Sequence, residues 1–140
     1  PRGTPIYAGP GETAPRSMQN LALRPNIARL LDGHEPLSEW KFTGDAAGRF
    51  DGVVDVFSDG SLWAIWVPGH TPGSTAYLAR TAHGPVLLTG DASHTRWGWE
   101  NDVEPGKYSY DPDQSAASFR KLRAFAVAHP NVEVRVGHQH

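Results

Sequence analysis

The sequence predicts a layered α/β domain, and three observations predict it. Paired β-rich runs flank turn signals at Ser58-Asp59-Gly60 and at His83-Gly84. A strongly signalled helix opens at Asp111. After it, Val132, Val134 and Val136 alternate with polar residues into a last strand. Strands, then a helix, then a returning strand describe a sheet with helical cover. At 140 residues the chain fits a single domain, long enough to bury a sizeable core.

Taken in order, Pro1 to Arg24 is rich in Pro, Gly and Thr, with one extended piece at Thr4 to Ala8. This reads as a strand end followed by a loop. Pro25 to Leu31 is expected to form a short helix closed by Gly33. Val53 to Val67 holds two strands around Asp59-Gly60, because Asp-Gly readily takes the positive φ angles of a tight turn. Thr75 to Arg80 and Pro85 to Thr89 form a second hairpin. Both faces of Leu62 to Val67 and of Val86 to Leu88 are apolar, so these strands are expected to be buried on two sides.

Asp111 supplies an N-cap, Pro112 the first helical position and Gln114 the capping-box partner of a helix running to about His129. Phe119, Leu122, Phe125 and Ala126 share its inner stripe, with Arg120, Lys121 and Arg123 on the water side. Pro130 stops it. Trp63 and Trp66 are expected in the core, His83 in a turn and His129 at a helix end.

Composition excludes several classes. Net charge is −2 with both signs interspersed, so neither a nucleic-acid groove nor a cationic membrane face is indicated. There are no cysteines, so a metal site must be built from His, Asp, Glu and water. The longest apolar run, Leu62 to Val67, is far short of the ~20 residues of a membrane span. No targeting segment is visible, which points to a cytoplasmic location. The lack of an initiator Met suggests that Pro1 is not the start of the gene product.

Three polar residues stand at strand ends, each behind a glycine: His70 after Gly69, Asp91 after Gly90 and His138 after Gly137. Glycine lets the backbone turn sharply and aims the next side chain across the sheet edge. Imidazole and carboxylate suit zinc, iron or manganese, and a carboxylate can bridge two ions. Singly, a His behind a strand is more often a loop residue, and Asp91 alone fits an Asx-turn or a helix cap. Spacing by itself leaves metal binding and these plainer roles both open. Ser74 and Ser93 lack a G-x-S-x-G context, which argues against a serine nucleophile.

Gly69-His70-Thr71-Pro72-Gly73-Ser74 resembles the G-H-[ST]-x-G-[SH] motif of the metallo-β-lactamase superfamily. Leu88-Thr89-Gly90-Asp91-Ala92 resembles the strand that delivers that family's bridging aspartate, and Val136-Gly137-His138 its final ligand histidine. The order matches, and the layout is most similar to N-acyl-homoserine lactonase-like members. The resemblance implies that the chain is the C-terminal part of a metallo-β-lactamase αβ/βα sandwich, a sheet covered by helices. It implies His70, Asp91 and His138 as metal ligands of one or two Zn2+ ions, with Fe or Mn as alternatives. His94 falls where lactonase-like members often carry a Tyr near the substrate carbonyl. The resemblance gives it and Asp91 catalytic roles; the plainer reading of His94 is a satisfied loop histidine. Trp97, Trp99, Tyr108 and Tyr110 are candidates for a substrate wall or for ordinary packing.

One departure is clear: the family's H-x-H-x-D-H motif occurs nowhere in these residues, and neither His34-Glu35-Pro36 nor His138-Gln139-His140 replaces it. It should lie upstream, since Thr4 to Ala8 resembles the strand that follows it. The chain is then an incomplete form, expected to be inactive alone and to associate with itself or with the missing N-terminal segment. The complete protein is expected to hydrolyse a lactone, ester or thioester, a small molecule with a hydrolysable carbonyl, by metal-activated water. The alternative is a non-catalytic binding or assembly module that keeps the fold without a full metal site. A phosphodiesterase or nuclease is disfavoured by the lack of a basic groove.

Overall fold

A computed structural model of the chain describes residues 5–13 and 37–138. The helix expected at Pro25 to Leu31, and His34, lie outside the described residues. Among those described are seven strands. Strands β1 (Tyr7–Ala8) and β2 (Ser38–Glu39) pair in parallel as a small ribbon. Strands β3 (Val53–Asp55), β4 (Leu62–Trp66), β5 (Thr75–Thr81), β6 (Gly84–Leu88) and β7 (Glu133–Arg135) form one five-stranded sheet in that order.

Turn chemistry builds the first three pairings, all antiparallel. The Asp55 carboxylate accepts from the Gly60 amide at 2.8 Å, closing the turn between β3 and β4. Gly60 takes the positive φ expected of the Asp-Gly signal, but the second positive φ falls on Ser58 and not on Asp59, because the connection spans residues 56–61 and is longer than a two-residue turn. Only Ala82 and His83 separate β5 from β6. The last pairing, β6 with β7, is parallel and therefore needs a crossover. That crossover contains the short helix α1 (Arg96–Glu100) and the long helix α2 (Pro112–Ala128).

The α2 start follows the capping rules. Asp111 Oδ1 accepts from the Gln114 amide at 3.0 Å, and Pro112 opens the helix. Its apolar stripe, Phe119, Leu122 and Phe125, is buried against Ile65, Ala76 and Leu87 of the sheet. Register explains the match: Val53, Ile65 and Ala76 lie in one cross-strand row, and Trp63, Leu78, Leu87 and Val134 in the next. Both rows face α2.

The opposite face departs from the two-sided burial expected of β4 and β6. Ala64 and Val86 are buried there, but Leu88 is 40% exposed. Trp63 and Trp66 are half-buried, not fully enclosed core residues. Among the described residues this face is met by aromatic side chains and not by a helix. Trp40 Nε1 donates to Tyr77 Oη at 3.3 Å, and Phe42 stacks on Trp66. Arg123, expected to face water, is half-buried: its guanidinium lies over the Trp99 ring while Nε donates to Asp102. Its long aliphatic stem allows this without burying the charge. No described helix is long and apolar enough to cross a membrane.

Candidate metal centre

Strand direction decides where the site forms. Two antiparallel steps bring β6 back to the direction of β4, and β7 is parallel to β6. The C-terminal ends of β4, β6 and β7 therefore share one sheet edge. His70 follows β4, Asp91 follows β6 and His138 follows β7.

Each loop is then held in place by close backbone approach. Gly69 adopts φ +135°, and a Cβ there would fall 2.1 Å from the Ser115 amide nitrogen. Only glycine admits the start of α2 so near. The contact is locked by hydrogen bonds from the Asp111 amide to Gly69 O, from the Tyr110 amide to His70 O, and from Ser118 Oγ to Pro68 O. On the other side, the Gly137 amide donates to Ser93 O and the His138 amide to His94 O, both at 2.9 Å. A Cβ on Gly137 would lie 2.7 Å from Gly90 O and 3.1 Å from Asp91 Oδ1.

These constraints bring four side chains together. His138 Nε2 is 3.0 Å from Asp91 Oδ1. His70 Nε2 is 3.9 Å from Asp91 Oδ2, and His94 Nε2 is 4.0 Å from Asp91 Oδ1. The His94 ring lies between the other two, with centroids 5.1 Å from His70 and 4.4 Å from His138. The carboxylate thus divides its oxygens, one towards His70 and the other towards His94 and His138.

Two ring nitrogens, His70 Nδ1 and His94 Nε2, are buried without a hydrogen-bond partner among the described residues. Buried polar atoms are ordinarily satisfied, so the orphaned His94 Nε2, 4.0 Å from Asp91 Oδ1, fits a metal ligand. Burial, then the neighbouring His138 and His70, hold the His94 pKa below the usual imidazole value, against the opposing pull of Asp91. A neutral imidazole is the form that coordinates metal. The donor set is all nitrogen and oxygen, the chemistry of zinc, iron or manganese.

The four candidate aromatics separate. Trp99 is buried and edge-on to Phe119 in the core, whereas Trp97, Tyr108 and Tyr110 are 64%, 76% and 69% exposed. Sequence reasoning missed Ser118, a buried hydroxyl on the helix's inner stripe that holds the His70 loop. A serine one turn from Ser115 among apolar neighbours was the available signal.

No protein-family model matches the chain. The N-acyl homoserine lactonase AttM of Agrobacterium fabrum is 37% identical over 108 residues, 76% of this chain and 39% of that protein. Among solved structures, a mutant of Bacillus thuringiensis AiiA with N-decanoyl-L-homoserine bound at its active site superposes with TM-score 0.65 at 23% identity. That match covers 98% of this chain and 48% of that one. AidC, a dizinc quorum-quenching lactonase in complex with a product, superposes with TM-score 0.60 at 16% identity, covering 95% of this chain and 47% of that one. The fold is that of the metallo-β-lactamase-fold lactonases on which the chain superposes. Within that fold, the chain is a relative of the N-acyl homoserine lactonases, which are metal-dependent hydrolases, and it spans less than half the length of these relatives.

Proposed function

We propose that the complete protein is a metal-dependent hydrolase of a lactone, ester or thioester, with an acyl-substituted lactone favoured by the relatives. The observation that carries this reading is the convergence of His70, Asp91, His94 and His138 at one sheet edge, with Asp91 dividing its oxygens among them. In this reading His70, Asp91 and His138 would hold the metal, with Asp91 the carboxylate shared between the two histidines. Zinc is the favoured ion, since the donor set suits it and a structural relative is a dizinc enzyme. When bound, such ions acidify water and polarise a carbonyl. With the metal sphere completed by upstream ligands, His94 is placed to meet the substrate carbonyl oxygen, as a hydrogen-bond donor or proton source.

The reading also concerns the sheet face opposite α2, where Leu88 is exposed and Leu62 and Tyr77 are half-buried. This face pairs with a second copy or with a segment supplied from upstream, because exposed apolar surface forgoes about 25 cal/mol per Å². Sedimentation of the chain tests it: a monodisperse monomer with no second polypeptide would defeat the idea.

The test of function compares two proteins on lactone, ester and thioester panels with zinc added. A longer form encoding H-x-H-x-D-H upstream should turn over a lactone, and the 140-residue chain should show little or no turnover. Absence of that motif from the coding sequence upstream would instead favour the binding or assembly module.

A further inference from the structure

We propose that in this chain, without upstream ligands, His94 is itself a metal ligand. Asp91, His94 and His138 then form a tripod that holds one divalent transition-metal ion. The inference rests on reading this site as a metal centre but changes its ligand set, because the three residues that strand-end spacing selects are His70, Asp91 and His138.

The geometry separates the two sets. One donor atom each from Asp91, His94 and His138 lie within 4.8 Å of one another, and His70 falls outside this group. Ligands at ~2.0–2.1 Å in a tetrahedron stand roughly 3.3 Å apart. The 3.0 Å from His138 Nε2 to Asp91 Oδ1 and the 4.0 Å from His94 Nε2 to the same oxygen bracket that spacing. Small side-chain rotations therefore close the tripod. His70 Nε2 approaches the other oxygen, Oδ2, at 3.9 Å.

His94 also has the features of a ligand and not of a satisfied loop histidine. Its Nε2 is buried and unpartnered among the described residues, and that nitrogen is the one nearest Asp91. Its position is fixed by backbone: the His138 amide donates to His94 O, so the two imidazoles are carried on hydrogen-bonded loop segments with rings 4.4 Å apart. A three-residue anchor leaves a further position open to solvent, since the Asp91 and His138 side chains are 48% and 60% exposed. The His94 nitrogen has one use at a time. Upstream ligands that fill the metal sphere free it to face substrate, and without them it coordinates.

Cobalt(II) titration of the 140-residue chain at neutral pH tests the tripod, followed by visible absorption and by calorimetry, alongside His94→Phe, His94→Gln and His70→Ala. Circular dichroism of every variant establishes that the fold is kept, and two His94 replacements guard against one that misfolds. One ion per chain is expected. Because losing an outer-shell partner alone weakens metal binding 10–100-fold, both His94 variants should weaken it by at least about 100-fold. His70→Ala removes a partner of the Asp91 carboxylate and not a tripod ligand, so it should weaken binding clearly less than either His94 variant. The tripod is overturned if the chain binds no cobalt, if folded His94 variants bind as tightly as the parent, or if His70→Ala weakens binding as much as they do. None of these outcomes touches the hydrolase reading, which is decided on the longer form by turnover.

Discussion

His138 Nε2 stands 3.0 Å from Asp91 Oδ1 although 47 residues separate them in sequence. Gly137 makes the approach possible, because a side chain there would strike Gly90 O and Asp91 itself. Asp91 is therefore the one carboxylate that every imidazole of the cluster addresses. Replacing it by Asn keeps the shape and removes the charge. Zinc affinity of the chain should fall by at least about tenfold, since a neutral amide is a poor ligand for a divalent ion. The melting temperature should barely move, because Asp91 is exposed. Calorimetric titration and thermal melts check both statements, and unchanged zinc affinity would remove Asp91 from the site.

Gly69→Ala is predicted to be among the most damaging small changes in the chain. The new Cβ would meet Ser115 backbone at 2.1 Å, in a φ region that L residues avoid. Relief requires moving α2 away from the His70 loop. The expected cost is about 2–4 kcal/mol, against about 1 kcal/mol for Gly84→Ala, where φ is +118° but the surroundings are open. Urea unfolding of the two variants measures the difference, and equal losses would refute the clash.

Local chemistry in the sequence was enough to read the parts of this fold that rest on turns and caps. The Asp111 cap and the strand through Val134 formed as their residues require, and the turn at Asp59-Gly60 formed with its positive φ at Ser58 and Gly60. Strand-end glycines likewise marked His70, Asp91 and His138: Gly69 and Gly137 allow close backbone approaches, and Gly90 takes a positive φ of 54°. Burial was less legible. Leu88 is as apolar as Leu87, yet alternation along β6 turns it away from α2. The resemblance singled out His94, but its packing against His70 and His138 was not legible, since it depends on hydrogen bonds between 93–94 and 137–138, a tertiary contact with no local signature.

Acid stability should depend on Asp45. The Arg49 side chain donates to its carboxylate, and with the Ala47 and Arg49 amides it lowers the pKa from 3.8 to about 2, outweighing the opposing effect of burial. A depressed carboxylate pKa contributes stability that is full above the unfolded value and is lost as pH falls through the folded one. The contribution should therefore fade between about pH 4 and 2. Asp45→Asn should lower the melting temperature at pH 5, and its difference from the parent should shrink towards pH 2. A pH-independent difference would show that the ion pair is not its source.

Trp97 and Trp99 are two residues apart and should behave oppositely. Trp99 is 8% exposed, meets Phe119 edge-on at 5.6 Å and lies under the Arg123 guanidinium. Truncation to Ala would empty a large core volume and release Arg123 from its stacking surface, which should cost about 3–5 kcal/mol. Trp97 is 64% exposed on the same short helix, so Trp97→Ala should alter stability by no more than about 0.5 kcal/mol. On the proposed function, an exposed Trp three residues beyond His94 in sequence is a candidate apolar surface for an acyl chain. In a longer form that has the proposed lactonase activity, Trp97→Ala should therefore raise KM for long-chain acyl lactones more than for short-chain ones, with kcat little changed. Denaturation of both variants and kinetics across chain lengths measure the contrast. A KM that rises equally for short and long chains would place Trp97 outside the acyl path.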